Sequence, residues 1–239
     1  MSKFKWEFPE NMLEVKIKAD NGDAEAQFTF ANYILKDENF SFKTDLTAEQ
    51  VEMGIHYLRL AAAQNHFYGN AACDLGDMYC NYYSALVPVD YAKAKMWYKT
   101  AIMGGIPHAT YMLGECAYYG WGENVNYEKA AKCYFETANR LIDGLVRLAD
   151  MYVLGEYFPF DLDFALKLYN HVLKKEENLY KRFGFYSDAY KMVRNRLDNI
   201  ERKPPIFTGI LPVENDEQLK MRKTLLQILE KQTKREGKK

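Results

Sequence analysis

Apolar residues recur along this chain at the three- and four-residue spacing of a helix face, and the pattern itself repeats. The stretch V-D-Y-A-K-A-K-M-W-Y-K-T-A, starting at Val89, is answered by V-N-Y-E-K-A-A-K-C-Y-F-E-T-A, starting at Val125. Val89 and Val125, Ala94 and Ala130, and Tyr98 and Tyr134 each stand 36 residues apart. A period in this range marks a helical-hairpin repeat. Four hairpins can be phased on it. The second has Ala71, Leu75, Gly76 and Tyr79, then Ala94, Tyr98 and Ala101. The third has Ala109, Leu113 and Gly114, then Ala130, Tyr134 and Ala138. The fourth has Gly144, Leu148, Ala149 and Tyr152, then Ala165 and Tyr169. Ala and Gly at fixed places let helix axes approach closely, and Leu and Tyr between them fill the space. One hairpin cannot bury its apolar face alone, so stability comes from stacking neighbours.

Local signals place the boundaries. A first helix is predicted from Pro9-Glu10 through Ala19, ended by Asn21-Gly22-Asp23. Another runs from Ala24 to Leu35, followed by a long polar loop from Lys36 to Leu46. Thr47 and Gln50 form a capping box for the next helix. Gly120 and Gly155 fall where a helix ends and the chain must turn left-handed. After His171 the pattern fades. Asn178 to Ile200 reads as one or two capping helices, with Tyr180, Phe183, Tyr186, Tyr190 and Val193 as apolar contacts. Lys203-Pro204-Pro205 ends them. A linker then leads to a final helix, 214–234, with Leu219, Leu225, Leu226 and Leu229 on one side. The expected division is therefore a repeat domain over 1–203 and a linker with a basic amphipathic tail over 204–239.

The pattern A-x-x-x-L-G, then G-x-G, then D/N-Y-x-K-A-x-x-W/C-Y-x-x-A resembles the Sel-one-like repeat family, a relative of the tetratricopeptide repeats. The third hairpin matches best. The first departs, with Phe28-Thr29 in place of Leu-Gly, and Tyr82-Tyr83-Ser84 replaces G-x-G in the second. The resemblance covers roughly residues 20–173. It implies an all-α fold, an α-solenoid forming a right-handed superhelix of antiparallel helix pairs, and a role as a scaffold for protein contacts.

Composition narrows the function. The formal net charge is -1, which argues against a dedicated nucleic-acid binder. Residues 218–239 carry eight Lys or Arg against two Glu, so a mildly acidic body bears a basic tail. The N-terminal stretch lacks the apolar run of a secretory signal, and no later stretch is long and apolar enough to span a bilayer. Cys73, Cys80, Cys116 and Cys133 form no C-x-x-C pair, so reduced thiols and a cytoplasmic address are expected. The four histidines make no H-E-x-x-H, and the four serines sit in no G-x-S-x-G. No catalytic residue, metal site or cofactor is expected, and the chain does not read as an enzyme.

The candidate binding surface follows from the family geometry, in which the first helix of each pair lines the inner face. With Leu75, Leu113 and Leu148 as core, positions two residues on are Asp77, Glu115 and Asp150. Asp74 adds a further acid and Arg147 opposes them. Tyr111 and Tyr118, with Cys73, Cys80, Val146 and Val153, form the floor. Trp121 and Tyr157 stand at the loop edge. This reads as a solvent-facing acidic groove for another protein or peptide with a basic segment. Such exposed acids should tolerate charge reversal with the melting temperature unchanged. A specific inhibitor of the immunity type, capping a basic effector, would use the same surface. The basic tail either packs on the last hairpin or docks elsewhere.

Overall fold

The computed structural model describes residues 9–64, 69–80, 86–184, 186–203, 205 and 212–236, with side chains to Lys231. Tyr82-Tyr83-Ser84, His66, Pro204 and most of the expected linker lie outside the described residues. Among those described the fold is all-α: α1 (Glu10–Asp20), α2 (Ala24–Leu35), α3 (Ala48–Ala63), α4 (Gly69–Tyr79), α5 (Tyr91–Met103), α6 (Pro107–Tyr119), α7 (Tyr127–Thr137), α8 (Ile142–Leu154), α9 (Leu162–Phe183), α10 (Asp188–Arg202) and α11 (Asp216–Glu236). The only extended pairing described is an isolated bridge between Lys36 and Phe42 in the long loop.

The hairpins are built to one local plan. Asp90, Asn126 and Asp161 each precede a second helix, and each side chain accepts from the backbone N–H three residues on, at Lys93, Lys129 and Phe164, over 2.8–3.0 Å. This satisfies an amide that the helix cannot pair itself. The same three residues donate their own N–H to the carbonyls of Tyr79, Ala117 and Tyr152 in the preceding helix. Each loop is thus pinned at both sides. The Thr47–Gln50 capping box opens α3 with both reciprocal bonds in place. Gly120 and Gly155 adopt φ of 72° and 68°, the left-handed turn their positions required.

The chain forms two compact units, Met1–Cys116 and Ala117–Lys239, with the division inside α6. In the first, α1 packs on α2, α2 on α3, α3 on α4 and α4 on α5. The core is made of small residues and second-helix tyrosines, with Ala71, Ala72, Leu75, Ala94, Tyr98 and Ala101 fully buried. A Cβ on Gly76 would collide with the Tyr98 ring, and one on Gly54 with the Leu35 side chain. In the second unit, α7 packs on α8, α8 on α9, and α10 on both α9 and α8. Tyr134, Leu148, Ala149, Tyr152, Ala165, Leu168 and Tyr169 fill its core.

Two expectations change here. The second helix of the fourth hairpin does not fade at His171. It continues as one 22-residue helix to Phe183, where Gly184 at φ 80° turns the chain into α10. Phe183 is exposed, while Tyr180, Tyr186 and Tyr190 stack ring on ring, with centroids 4.4 and 3.9 Å apart. The tail helix α11 packs within the second unit through Gln218, Met221, Leu225 and Ile228, all buried. This seam, spaced three, four and three, keeps Leu225 of the expected side, while Leu219 and Leu226 face out. Arg222 locks it, bonding Asp161 at 2.5 Å and Glu214 at 3.3 Å while lying over the Phe164 ring at 4.5 Å.

Candidate functional site

The acids expected to line a groove are committed internally. Asp77 and Glu115 are buried, at 6% and 2% exposure. Asp77 Oδ1 accepts a 2.8 Å hydrogen bond from the hydroxyl of fully buried Tyr98. Asp150 accepts one at 2.5 Å from Tyr169. The same device serves two hairpins: a tyrosine on the second helix reaches back to an aspartate on the first. Burial, then the carboxylate, pushes both tyrosine hydroxyls far above their ordinary pKa. Asp74 is likewise paired, with Lys36 Nζ at 2.6 Å, delivered by the start of the long loop. The expectation of solvent-facing acids is therefore corrected. A carboxylate two residues past the core leucine lies close enough to the packed neighbour to be held there.

The second unit brings the remaining candidates together. A groove of about 280 Å³ is walled by Tyr118 of α6, by Arg147, Asp150, Val153 and Leu154 of α8, by Tyr169 of α9, and by Arg196, Asn199 and Ile200 of α10. Tyr118, Arg147 and Asp150 were nominated from the sequence. The three residues from α10 were not, because nothing in their spacing links them to α8. Arg196 grips Asp150 through two parallel bonds, Nε to Oδ1 at 2.5 Å and Nη2 to Oδ2 at 2.7 Å. Arg147 lies against two aromatic faces, 5.6 Å from the Tyr118 centroid and 5.3 Å from that of Tyr119, and donates to the Tyr119 hydroxyl at 2.9 Å. Tyr119 in turn stacks on Trp121 at 5.1 Å. The Tyr118 hydroxyl donates to Glu156 at 2.5 Å, and burial with that carboxylate raises its pKa. Asp150 is shared by Arg196 and by Arg147, whose Nη1 lies 3.8 Å from Oδ2, so the lining residues count two arginines to one aspartate, set among Val153, Leu154 and Ile200.

The other candidates lie elsewhere. Tyr157 adopts φ 62° and belongs to the α11 contact: its carbonyl accepts from Gln218 at 2.5 Å and its hydroxyl lies 3.5 Å from Glu217. In the first unit, Tyr111 stacks on His108 at 6.0 Å, and His108 Nε2 is 3.7 Å from Asp77 Oδ2.

A family model described as the Sel1 repeat matches residues 48–66, 69–106 and 107–140. Over these residues the chain carries Sel1 repeats. The match stops before the fourth hairpin, although that hairpin keeps the same caps and the same tyrosine–aspartate bond. Among curated proteins, the ERAD-associated E3 ubiquitin-protein ligase component HRD3B of Arabidopsis thaliana is 24% identical over 120 residues, 45% of this chain and 20% of that protein. Among solved structures, a protective antigen present in uropathogenic Escherichia coli strains, displaying an SLR fold, is 28% identical, with a TM-score of 0.57 over 70% of this chain and 34% of the antigen. A Sel1 repeat protein from Oxalobacter formigenes, 21% identical, superposes with a TM-score of 0.63 over 88% of this chain and 75% of its own, which shows the shared fold. The chain spans about one fifth of the plant relative and one third of the antigen. Sel1-repeat proteins generally act as protein-interaction scaffolds and are typically non-catalytic. Among the described residues no helix is long and apolar enough to cross a membrane.

Proposed function

We propose that this Sel1-repeat protein is a cytoplasmic interaction scaffold that holds a partner segment in the groove between α8 and α10. The observation that carries this reading is the Arg147–Asp150–Arg196 arrangement. Two guanidinium groups face one carboxylate, and Arg147 is held against two adjoining tyrosine rings, so little side-chain freedom is lost on binding. Such a wall suits a carboxylate, because hydrogen bonds between a charged guanidinium and a carboxylate are among the strong ones. Val153, Leu154 and Ile200 offer an apolar seat beside it. The partner segment is therefore acidic with an adjacent apolar residue. The basic segment suggested by the sequence has less support, because Asp74, Asp77 and Asp150 are each engaged by a neighbour. The relative named as a ubiquitin-ligase component offers the model of a subunit within a larger assembly.

The test is peptide binding to the whole protein. Acidic–apolar peptides should be retained in preference to basic ones, and Arg147→Glu should weaken that retention by on the order of tenfold or more at low salt. Preferential retention of basic peptides would reject the groove as described and return the reading to an acidic surface.

A further inference from the structure

The first unit gathers three metal-ligating side chains of different chemistry. Cys73 and Asp77 lie one turn apart on α4, so both project from one face. His108, in the first turn of α6, meets them there. The Cys73 Sγ, an Asp77 carboxylate oxygen and a His108 ring nitrogen all lie within 4.8 Å of one another. We propose that Cys73, Asp77 and His108 form a binding site for a divalent transition-metal ion of the zinc type, with a fourth position left for water or a ligand.

Several features fit this chemistry. Thiolate, imidazole and carboxylate are the three side-chain donors zinc takes, and three protein ligands leave its tetrahedron open. Asp77 is already oriented: Tyr98 holds Oδ1 at 2.8 Å, which leaves Oδ2 facing His108 Nε2 at 3.7 Å. Carboxylate ligands in metal sites are commonly held by such an outer partner. Cys73 is a free thiol, 5% exposed. His108 is exposed, so its ring can move the ångström or so that brings the donors to zinc spacing, and the ion has a way in. Charge also balances, since a thiolate and a carboxylate neutralise a divalent ion while Lys36 and Asp74 neutralise each other beside them. The sequence hides the site because His108 lies 31 residues beyond Asp77, across a helix and a loop, outside any short motif.

The 239-residue chain, titrated with zinc by calorimetry, should bind one equivalent. His108→Ala changes an exposed side chain, leaves the core intact, and should lower the affinity by at least about tenfold. Tyr98→Phe removes only the hydroxyl that orients Asp77, and should weaken binding by about tenfold to a hundredfold. With cobalt as the probe, ligation by Cys73 should give a sulfur-to-cobalt charge-transfer band in the near ultraviolet that Cys73→Ser abolishes. Absence of zinc binding, an affinity unchanged by His108→Ala, or a band that survives Cys73→Ser because Cys80, Cys116 or Cys133 supplies it would each overturn the assignment.

Discussion

Arg196 of α10 and Asp150 of α8, 46 residues apart in sequence, meet in a two-pronged ion pair that ties the capping helix to the fourth hairpin. Tyr169 adds a third bond to the same carboxylate. Charge-assisted hydrogen bonds contribute about 1.5–3 kcal/mol each when they are shielded from water. Arg196→Ala is expected to lower the unfolding free energy by about 2 kcal/mol, since the pair remains partly solvated, and the urea midpoint will register it. Simultaneous reversal of Asp77, Glu115 and Asp150 is expected to prevent folding, against the neutral outcome that exposed acids would give. Circular dichroism decides between the two.

Gly76 sits where any side-chain carbon would press on the Tyr98 ring. Tyr98 cannot swing aside freely, because it is fully buried and bonded to Asp77. Gly76→Ala should therefore cost about 1–3 kcal/mol through overpacking. A melting temperature equal to that of the wild type would mean that α4 and α5 are not so closely apposed.

Leu225 is fully buried on α11, and Leu226, its neighbour, is exposed. Leu225→Ala is expected to destabilise by about 2–5 kcal/mol, with cavity formation adding to lost burial. Leu226→Ala should fall within about 0.5 kcal/mol of wild type, as an exposed position does. Equal behaviour of the two variants in urea denaturation would show that the tail helix is not docked on this seam.

The Asp74 carboxyl titrates above its ordinary range, because burial outweighs the favourable Lys36 charge. A raised carboxyl pKa means that the folded state holds its proton longer than the unfolded chain does. Its contribution to stability therefore falls as pH rises from the unfolded value through the folded one. Lys36→Met removes the compensating cation and should deepen this loss. The variant should come nearest to wild type below the ordinary carboxyl range, where Asp74 is protonated in the folded and unfolded chain of both, and be less stable by about 3 kcal/mol at neutral pH. Chemical denaturation across that range checks the divergence, and a pH-independent difference would rule out the charge explanation.

What the amino-acid sequence determined by itself was the succession of elements. Helix starts at Thr47, Asp90, Asn126 and Asp161, and left-handed turns at Gly120 and Gly155, depend on atoms within a few residues of each other. The 36-residue step made the hairpins legible, and the burial of Tyr98, Tyr134 and Tyr169 followed from their phase. The tertiary structure alone decided where the polar side chains went. Asp77 and Asp150 occupy positions that could face water or a neighbouring helix, and the hydroxyl waiting on that helix settles the choice. The same holds for Arg196 at the groove, His108 beside Cys73, and the α11 seam. Helical periodicity fixes the direction of a side chain relative to its own axis. It carries no information on which group of a distant element stands opposite, and charge pairing depends on that distance.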